Sequence, residues 1–235
     1  MKIFLKGLWI GATMTVPGIS GGTMAAVLGL YERLILAMAE WRKNPKENLL
    51  FLLQFAIGGG IGFFCFAKIM TDLLEQSGIG FGLRIFFSVI VLGSIPFLVR
   101  QSGLQSIRIK DVLEVLTGAV IVYGLSYLPT GFTGIKTDLL SLIFQLLGGI
   151  IVAAALILPG ISVSHMLYIL GLYQPVMEMV YQFKILSLLP LLIGVIVGAV
   201  LTTKAVEYFL GKRKQDVYMI IIGFVAASVT SLLAQ

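Results

Sequence analysis

The chain has 235 residues, of which 58% are hydrophobic and 12% charged, and a mean hydropathy of +1.03. A soluble domain carries about 25% charged and about 45–50% apolar residues, so there is too little polar side chain here to coat a globule, and a soluble protein is excluded. Seventeen Lys and Arg against eleven Asp and Glu leave a net charge of +6, but the charges sit in gaps between apolar runs, which reads as membrane topology and not as a nucleic-acid surface.

A spanning helix needs about 20 apolar residues, because each residue rises about 1.5 Å through hydrocarbon about 30 Å thick. In chain order, the apolar run from Phe4 to Val16 follows Lys2 and Lys6 and imitates a secretory signal. It lacks a small-x-small cleavage site and recurs later, so it belongs to the fold. It breaks at Pro17-Gly18-Ile19-Ser20-Gly21-Gly22-Thr23 and continues as a helical arm, Met24–Ala39. Leu49–Thr71, Leu83–Val99 and Val112–Leu128 read as spans. Leu139–Leu158 breaks at Pro159-Gly160-Ile161-Ser162-Val163-Ser164-His165 and continues as Met166–Tyr181. Leu186–Thr203 and Val217–Leu233 complete the set, giving an all-α, polytopic membrane protein with five spans and two broken-helix hairpins.

The two broken segments are copies. At an offset of 142, nine of the fifteen positions from 17 to 31 are identical, and at an offset of 136 Gly58, Gly62 and Lys68 match Gly194, Gly198 and Lys204. The chain therefore divides into repeats 1–105 and 138–235 joined by a linking helix, 112–128. Each repeat holds one hairpin and two transmembrane helices, an even number of crossings, so the single linking span turns the second repeat upside down. Thirteen Lys and Arg fall on the side of the N-terminus and four on the other (Lys68, Arg84, Lys136 and Lys184). The positive-inside rule puts the N-terminus in the cytoplasm and the C-terminus outside.

A helix broken inside a membrane leaves backbone groups without partners, at several kcal/mol each, unless they are buried in protein or line a wet cavity. Ser20 and Thr23 suit the cap of the helix that starts near Met24, and Gly18, Gly21 and Gly22 allow a tight turn. Free N–H groups and the positive end of the helix dipole then favour an anion. Gly160, Ser162, Ser164 and His165 are expected to do the same from the opposite face, so that a phosphate or carboxylate sits between two hairpin tips near the midplane. A plain kink satisfied by neighbouring helices is the competing reading of either turn alone. Glu32 lies about 13 Å beyond Thr23 at helical rise and is a candidate for substrate or ion coupling, with snorkelling to the interface as the equal alternative. Arg33 fits interfacial snorkelling better. Lys68, Lys204 and Arg84 are candidates for receiving a headgroup at the two faces, against plain interfacial anchoring. His165 is the only histidine and the side chain suited to relay protons near neutrality. The Gly58-x-x-x-Gly62 and Gly194-x-x-x-Gly198 pairs read as helix-packing faces. No metal site and no cofactor are expected.

Val16-Pro17-Gly18-Ile19-Ser20-Gly21-Gly22-Thr23 with Leu28-Gly29-Leu30-Tyr31-Glu32 resembles the first signature of the PopT-type polyprenyl-phosphate transporter family. Leu158-Pro159-Gly160-Ile161-Ser162 with Leu170-Gly171-Leu172-Tyr173 resembles the second, and Leu92-Gly93-Ser94-Ile95-Pro96 a further family segment. The second turn departs from the family pattern at Val163-Ser164-His165 and at Gln174. The resemblance implies a non-enzymatic flippase in the bacterial cytoplasmic membrane that returns undecaprenyl phosphate from the outer to the inner leaflet for the cell-wall lipid carrier cycle. Its partners are then the polyprenyl phosphate and membrane lipids, with no nucleic acid; a homo-oligomer is compatible with the sequence. Residue chemistry alone leaves a permease for a small soluble anion as the alternative. A membrane phosphatase is disfavoured, since that chemistry draws on several His, Arg and Asp groups.

Overall fold

A computed structural model describes residues 1–16, 18–126, 138–182 and 184–233. Pro17, Lys136 and the ends of the expected linking span and second repeat (127–128 and 234–235) lie outside the described residues. Among those described, every regular element is an α-helix: α1 Lys2–Thr13, α2 Gly21–Val27, α3 Tyr31–Ala39, α4 Pro45–Glu75, α5 Ser77–Gly93, α6 Ile95–Ser102, α7 Ile109–Ser126, α8 Asp138–Ile157, α9 Val163–Ile169, α10 Tyr173–Tyr181 and α11 Ile185–Leu233.

Three stretches are long and apolar enough to cross a membrane, Pro45–Glu75, Gly78–Ser102 and Leu186–Thr230, and the bent pair α2–α3 makes a fourth if it counts as one span. Fewer helices meet that standard than the five spans read from sequence. α7 opens with Lys110, Asp111 and Glu114, and the apolar part of α8, Ser141–Ile157, is short. The two expected spans on either side of 204–216 are joined end to end in α11, whose helical backbone breaks only at Arg213 (φ −143°, ψ 52°). Lys212, Arg213 and Lys214 look like a loop in sequence and are instead a kinked helix. Large apolar side chains stay exposed along the outer faces, among them Phe64 (81%), Val120 (67%), Ile196 (66%) and Leu186 (81%). A surface this apolar suits lipid and not water, and the chain is a multi-pass membrane protein.

The expected helical arms Met24–Ala39 and Met166–Tyr181 are both bent. α2 ends at Leu28, and Gly29 takes a left-handed φ of +67°. The Leu30 N–H then reaches back to the Ala25 carbonyl at 2.8 Å and the Gly29 N–H to Ala26 at 3.1 Å. This double closure is the Schellman stop, which glycine makes without steric cost. α3 leaves at 117° to α2. The same bonds recur at the end of α9, Leu172 to Leu167 and Gly171 to Tyr168, with Gly171 at φ +66°.

The paired small residues act as packing faces, as read from sequence. A Cβ on Gly58 would stand 2.2 Å from the Phe4 carbonyl oxygen and one on Gly62 2.0 Å from that of Leu8, so α1 and α4 touch backbone to backbone. On Gly194 it would stand 2.1 Å from the Leu146 oxygen and on Gly198 2.6 Å from Ile150 Cα, which packs α8 on the first part of α11 in the same way. Phe4 and Leu146, like Leu8 and Ile150, are 142 apart, while Gly58 and Gly194 are 136 apart, the offsets at which the sequence matches itself. The core lies where α2, α3 and α6 meet the last part of α11, around Met24, Ile35, Leu98, Tyr218 and Val225.

Candidate functional site

Each Pro-Gly-Ile-Ser turn ends in a serine that caps the helix behind it. Ser20 is extended (φ −95°, ψ 145°), and its Oγ accepts the Thr23 N–H at 3.0 Å. Ser162 repeats this at α9, facing the His165 N–H at 3.5 Å. Such caps satisfy a helix-start donor that would otherwise be unpaired. The N–H of Thr23 is therefore taken by the cap that the sequence leads one to expect at Ser20.

The two turns bond to each other. The Gly160 N–H donates to Thr23 Oγ1 at 2.7 Å and lies 3.2 Å from Ser20 Oγ, while the two hydroxyls are 2.8 Å apart, one donating to the other. Ser20 and Thr23 are buried. Gly22 permits the approach, since a Cβ there would stand 3.0–3.2 Å from the backbone of Ile157, Leu158 and Pro159. Gly160 is held from behind: its φ is +80°, and a Cβ would meet the Phe224 carbonyl oxygen at 2.4 Å. A side chain at Gly160 is thus opposed by both conformation and space. Gly18 rests against Leu232, with 3.1 Å to its Cα from an added Cβ, and Gly21 faces only the flexible Met14 thioether. Together the two turns form one buried polar knot in an apolar protein.

The other sequence-derived candidates separate. Ser164 is exposed, and the His165 Nε2 lies 3.4 Å from the Leu125 carbonyl oxygen, facing α7. Glu32 does not continue straight from the tip, because of the bend at Gly29. Its Oε2 accepts from Lys214 Nζ at 2.8 Å and from the Tyr218 hydroxyl at 3.1 Å. Arg33 donates to Asn48 Oδ1 at 2.7 Å and Glu47 Oε1 at 3.0 Å, with its guanidinium over the Phe51 ring. Ion pairing at the α3–α4 corner accounts for it better than snorkelling. Lys68 and Lys204 are exposed and Arg84 half-buried, and none of the three hydrogen-bonds to the turns among the described residues.

A polar belt around the α11 kink was not read from sequence. Tyr218 also contacts the Gln101 side-chain amide at 3.0 Å. Gln215 donates to Asp111 Oδ1 at 2.6 Å, and Lys110 Nζ bridges Asp216 (2.6 Å) and Glu114 (3.2 Å). Asp111 is buried and accepts from the Arg108 backbone N–H at 2.8 Å and from its guanidinium. The Arg108 hydrogen bond holds the Asp111 carboxyl below the usual aspartate range, and the Asp216 hydrogen bond raises Lys110. The alternation of basic and acidic residues over 108–114 and 212–216 carried that signal, but the partners stand about a hundred residues apart. No group of three or more metal-binding side chains occurs among the described residues.

The family model for undecaprenyl phosphate translocase-like proteins matches residues 10–235. A polyprenyl-phosphate transporter of Vibrio cholerae is 30% identical over 234 residues, spanning 92% of this chain and 72% of that protein. A polyprenyl-phosphate transporter of Staphylococcus aureus is 30% identical over 238 residues, spanning 95% of this chain and 83% of the relative. No solved structure gives a significant match.

Proposed function

Because this chain belongs to the undecaprenyl phosphate translocase-like family, we propose that it is a transporter of polyprenyl phosphate, not an enzyme, and that it returns undecaprenyl phosphate from the outer to the inner leaflet of the bacterial cytoplasmic membrane for reuse in cell-wall synthesis. The observation that carries this reading is the buried knot of the two turns, in which the Gly160 N–H rests on the hydroxyls of Thr23 and Ser20. In the reading, repeats 1–105 and 138–235 are inverted about the linking helix 112–128, with the N-terminus in the cytoplasm, and each turn is re-entrant, approaching from its own face.

The chemistry of the knot suits a phosphate. When the turns part, the Gly160 N–H loses its acceptors and the Ser20 and Thr23 hydroxyls lose a mutual bond. A phosphate oxygen is an acceptor for an N–H and for both hydroxyls, and charge-assisted bonds of this kind are about twice as strong as neutral ones. The anion thus restores what opening removes, while the turns closed on each other keep the barrier free of an unpaired polar group. That is the requirement of alternating access at the meeting point of two repeats. The prenyl chain remains in lipid against the exposed apolar faces of α4, α5 and α11. In this reading Ser162, Ser164 and His165 serve the second-turn side, and Glu32, Arg33, Lys68, Arg84 and Lys204 are assigned to headgroup entry or ion coupling at the two faces.

The test is reconstitution in liposomes with labelled undecaprenyl phosphate on one leaflet. Accelerated movement to the other leaflet, lost in Ser20→Ala/Thr23→Val protein that still folds, supports the reading. Movement no faster than in protein-free vesicles, with or without ion gradients, refutes it, and uptake of inorganic phosphate instead would favour the soluble-anion permease.

A further inference from the structure

A cavity of about 340 Å³ lies among α3, α7, the start of the second turn and both parts of α11, at the low end of the about 300–1,000 Å³ common for ligand pockets. The lining is mostly apolar, from Leu158 and Phe224 beside the second turn to Phe209 and Val217 on either side of the α11 kink, with Tyr31, Glu114, Arg213 and Asp216 as its polar residues. Two of these lining residues each hold a polar atom that is buried without a hydrogen-bond partner, the Tyr31 hydroxyl and Glu114 Oε2; Tyr31 itself is only 4% exposed. A buried polar group left unpaired is costly and marks a place where a partner is missing.

Beside these buried atoms stands an exposed cation. Around the kink, Lys212 bonds the Tyr208 hydroxyl, Lys214 bonds Glu32, Gln215 bonds Asp111 and Asp216 bonds Lys110. Arg213, at the non-helical residue between them, makes no ion pair or side-chain hydrogen bond among the described residues and lines the cavity. Of the two acids present, Asp216 is held by Lys110 at 2.6 Å, and Glu114 gives Lys110 its Oε1 at 3.2 Å. What remains unmatched is one guanidinium, one hydroxyl donor and one carboxylate acceptor in a mostly apolar lining.

We propose that this cavity is a headgroup pocket that selects a prenyl phosphate monoester over the phosphodiesters of the surrounding membrane. The proposal rests on the transport reading above. Arg213 takes the anionic phosphate oxygens, Tyr31 donates to another of them, and Glu114 Oε2 accepts a P–O–H hydrogen. At neutral pH a monoester is mostly the dianion, but its second ionisation lies near pH 6, so it binds here by taking up one proton from water to form that P–O–H; a diester has no such site to protonate and would set a bare oxygen against the carboxylate. The first isoprene units lie along Leu158, Phe209 and Phe224, and the rest of the chain leaves into lipid. The apolar part of the lining, at Leu158 and Phe224, adjoins Gly160, so the first isoprene units stand next to the knot of turns.

The test uses the full-length protein in nanodiscs and two soluble probes, farnesyl monophosphate and its methyl diester, with dissociation constants from calorimetry. The wild type is expected to prefer the monoester by at least about tenfold. Arg213→Ala weakens the monoester about tenfold or more, and Tyr31→Phe several-fold. Glu114→Gln brings the two probes towards parity, because the amide both donates and accepts. Thermal unfolding midpoints show that each variant is folded, and Arg213→Lys, which keeps the charge, is expected to retain part of the affinity. Equal affinity of the wild type for the two probes, or wild-type affinity in Arg213→Ala, overturns the pocket. If the wild type still moves labelled undecaprenyl phosphate between leaflets, only the pocket assignment has failed. If it neither moves that lipid nor binds the monoester, the transport reading has failed with it.

Discussion

Replacing Thr23 by Val removes one oxygen from the knot and little else. The side chain keeps its shape, is 1% exposed, and stays β-branched at the third position of α2. The Thr23 backbone N–H keeps its cap, because the acceptor there is Ser20 Oγ at 3.0 Å. What is lost is the 2.8 Å bond to the Ser20 hydroxyl and the 2.7 Å acceptor for the Gly160 N–H, which is left with Ser20 Oγ at 3.2 Å. A buried donor deprived of its partner costs about 1–3 kcal/mol; with the weaker contact remaining, about 1.4 kcal/mol is reasonable, which is a tenfold change in an equilibrium. Amide hydrogen exchange reads this directly. In peptides covering 157–162, Thr23→Val is expected to speed the exchange of the Gly160 amide about tenfold, while Thr23→Ser leaves it near the wild-type rate. Exchange of that amide at the wild-type rate in Thr23→Val would refute the idea that the turns hold each other through this oxygen.

Gly58→Ala and Gly194→Ala, each forcing a Cβ to within 2.2 Å of a carbonyl oxygen on the facing helix, are expected to destabilise by about 1–3 kcal/mol, measured by thermal unfolding in detergent. Gly60→Ala meets nothing within 4 Å and is expected to raise stability by about 0.5–1 kcal/mol through helix propensity. Lys214→Ala removes an ion pair whose partners are 43% and 37% exposed, so it costs under about 1 kcal/mol; Tyr218→Phe, deleting a hydroxyl from a buried residue, costs about as much or more in the same assay. Asp111 is held below the usual aspartate range by Arg108. Its contribution is therefore present above about pH 4, the ordinary aspartate value, and is lost as pH falls through the lower folded value. The unfolding midpoint is expected to drop below about pH 4, and Asp111→Asn to flatten that drop.

Local features were legible because their chemistry is local. The capping serines, the breaks after Pro17 and Pro159, and the glycine pairs of α4 and α11 each follow from a residue type at a fixed spacing. The bend at Gly29 has a local signal too, a glycine one residue beyond a helix end, but within Leu28-Gly29-Leu30 it also reads as part of the repeat. Its recurrence at Gly171 pointed the same way. The α11 kink escaped because Lys212, Arg213 and Lys214 suggest solvent, whereas their neighbours Gln215 and Asp216 find partners on α7, the buried Asp111 and the exposed Lys110. Glu32 was selected for its charge, but its partners on α11 lie more than 180 residues away, a distance over which residue patterns say nothing about pairing. The turn-to-turn contact was anticipated as a meeting of tips. That the tips satisfy each other was not, because sequence supplies the donors and acceptors without their distances.

The shortness of α2 and α9 has a consequence for how the protein is made. Each has seven residues, well under the roughly 12 at which an isolated helix becomes even marginal in water, so neither holds its turn in shape alone. The partner of Thr23 is Gly160, 137 residues further along. At about 5–20 residues per second, that partner leaves the ribosome roughly 7–30 s after the first turn does. Through that interval Ser20 and Thr23 must find temporary acceptors and donors at the membrane interface or in the insertion machinery. The first half of the chain thus waits, inserted but unfinished, for the second half to lock it.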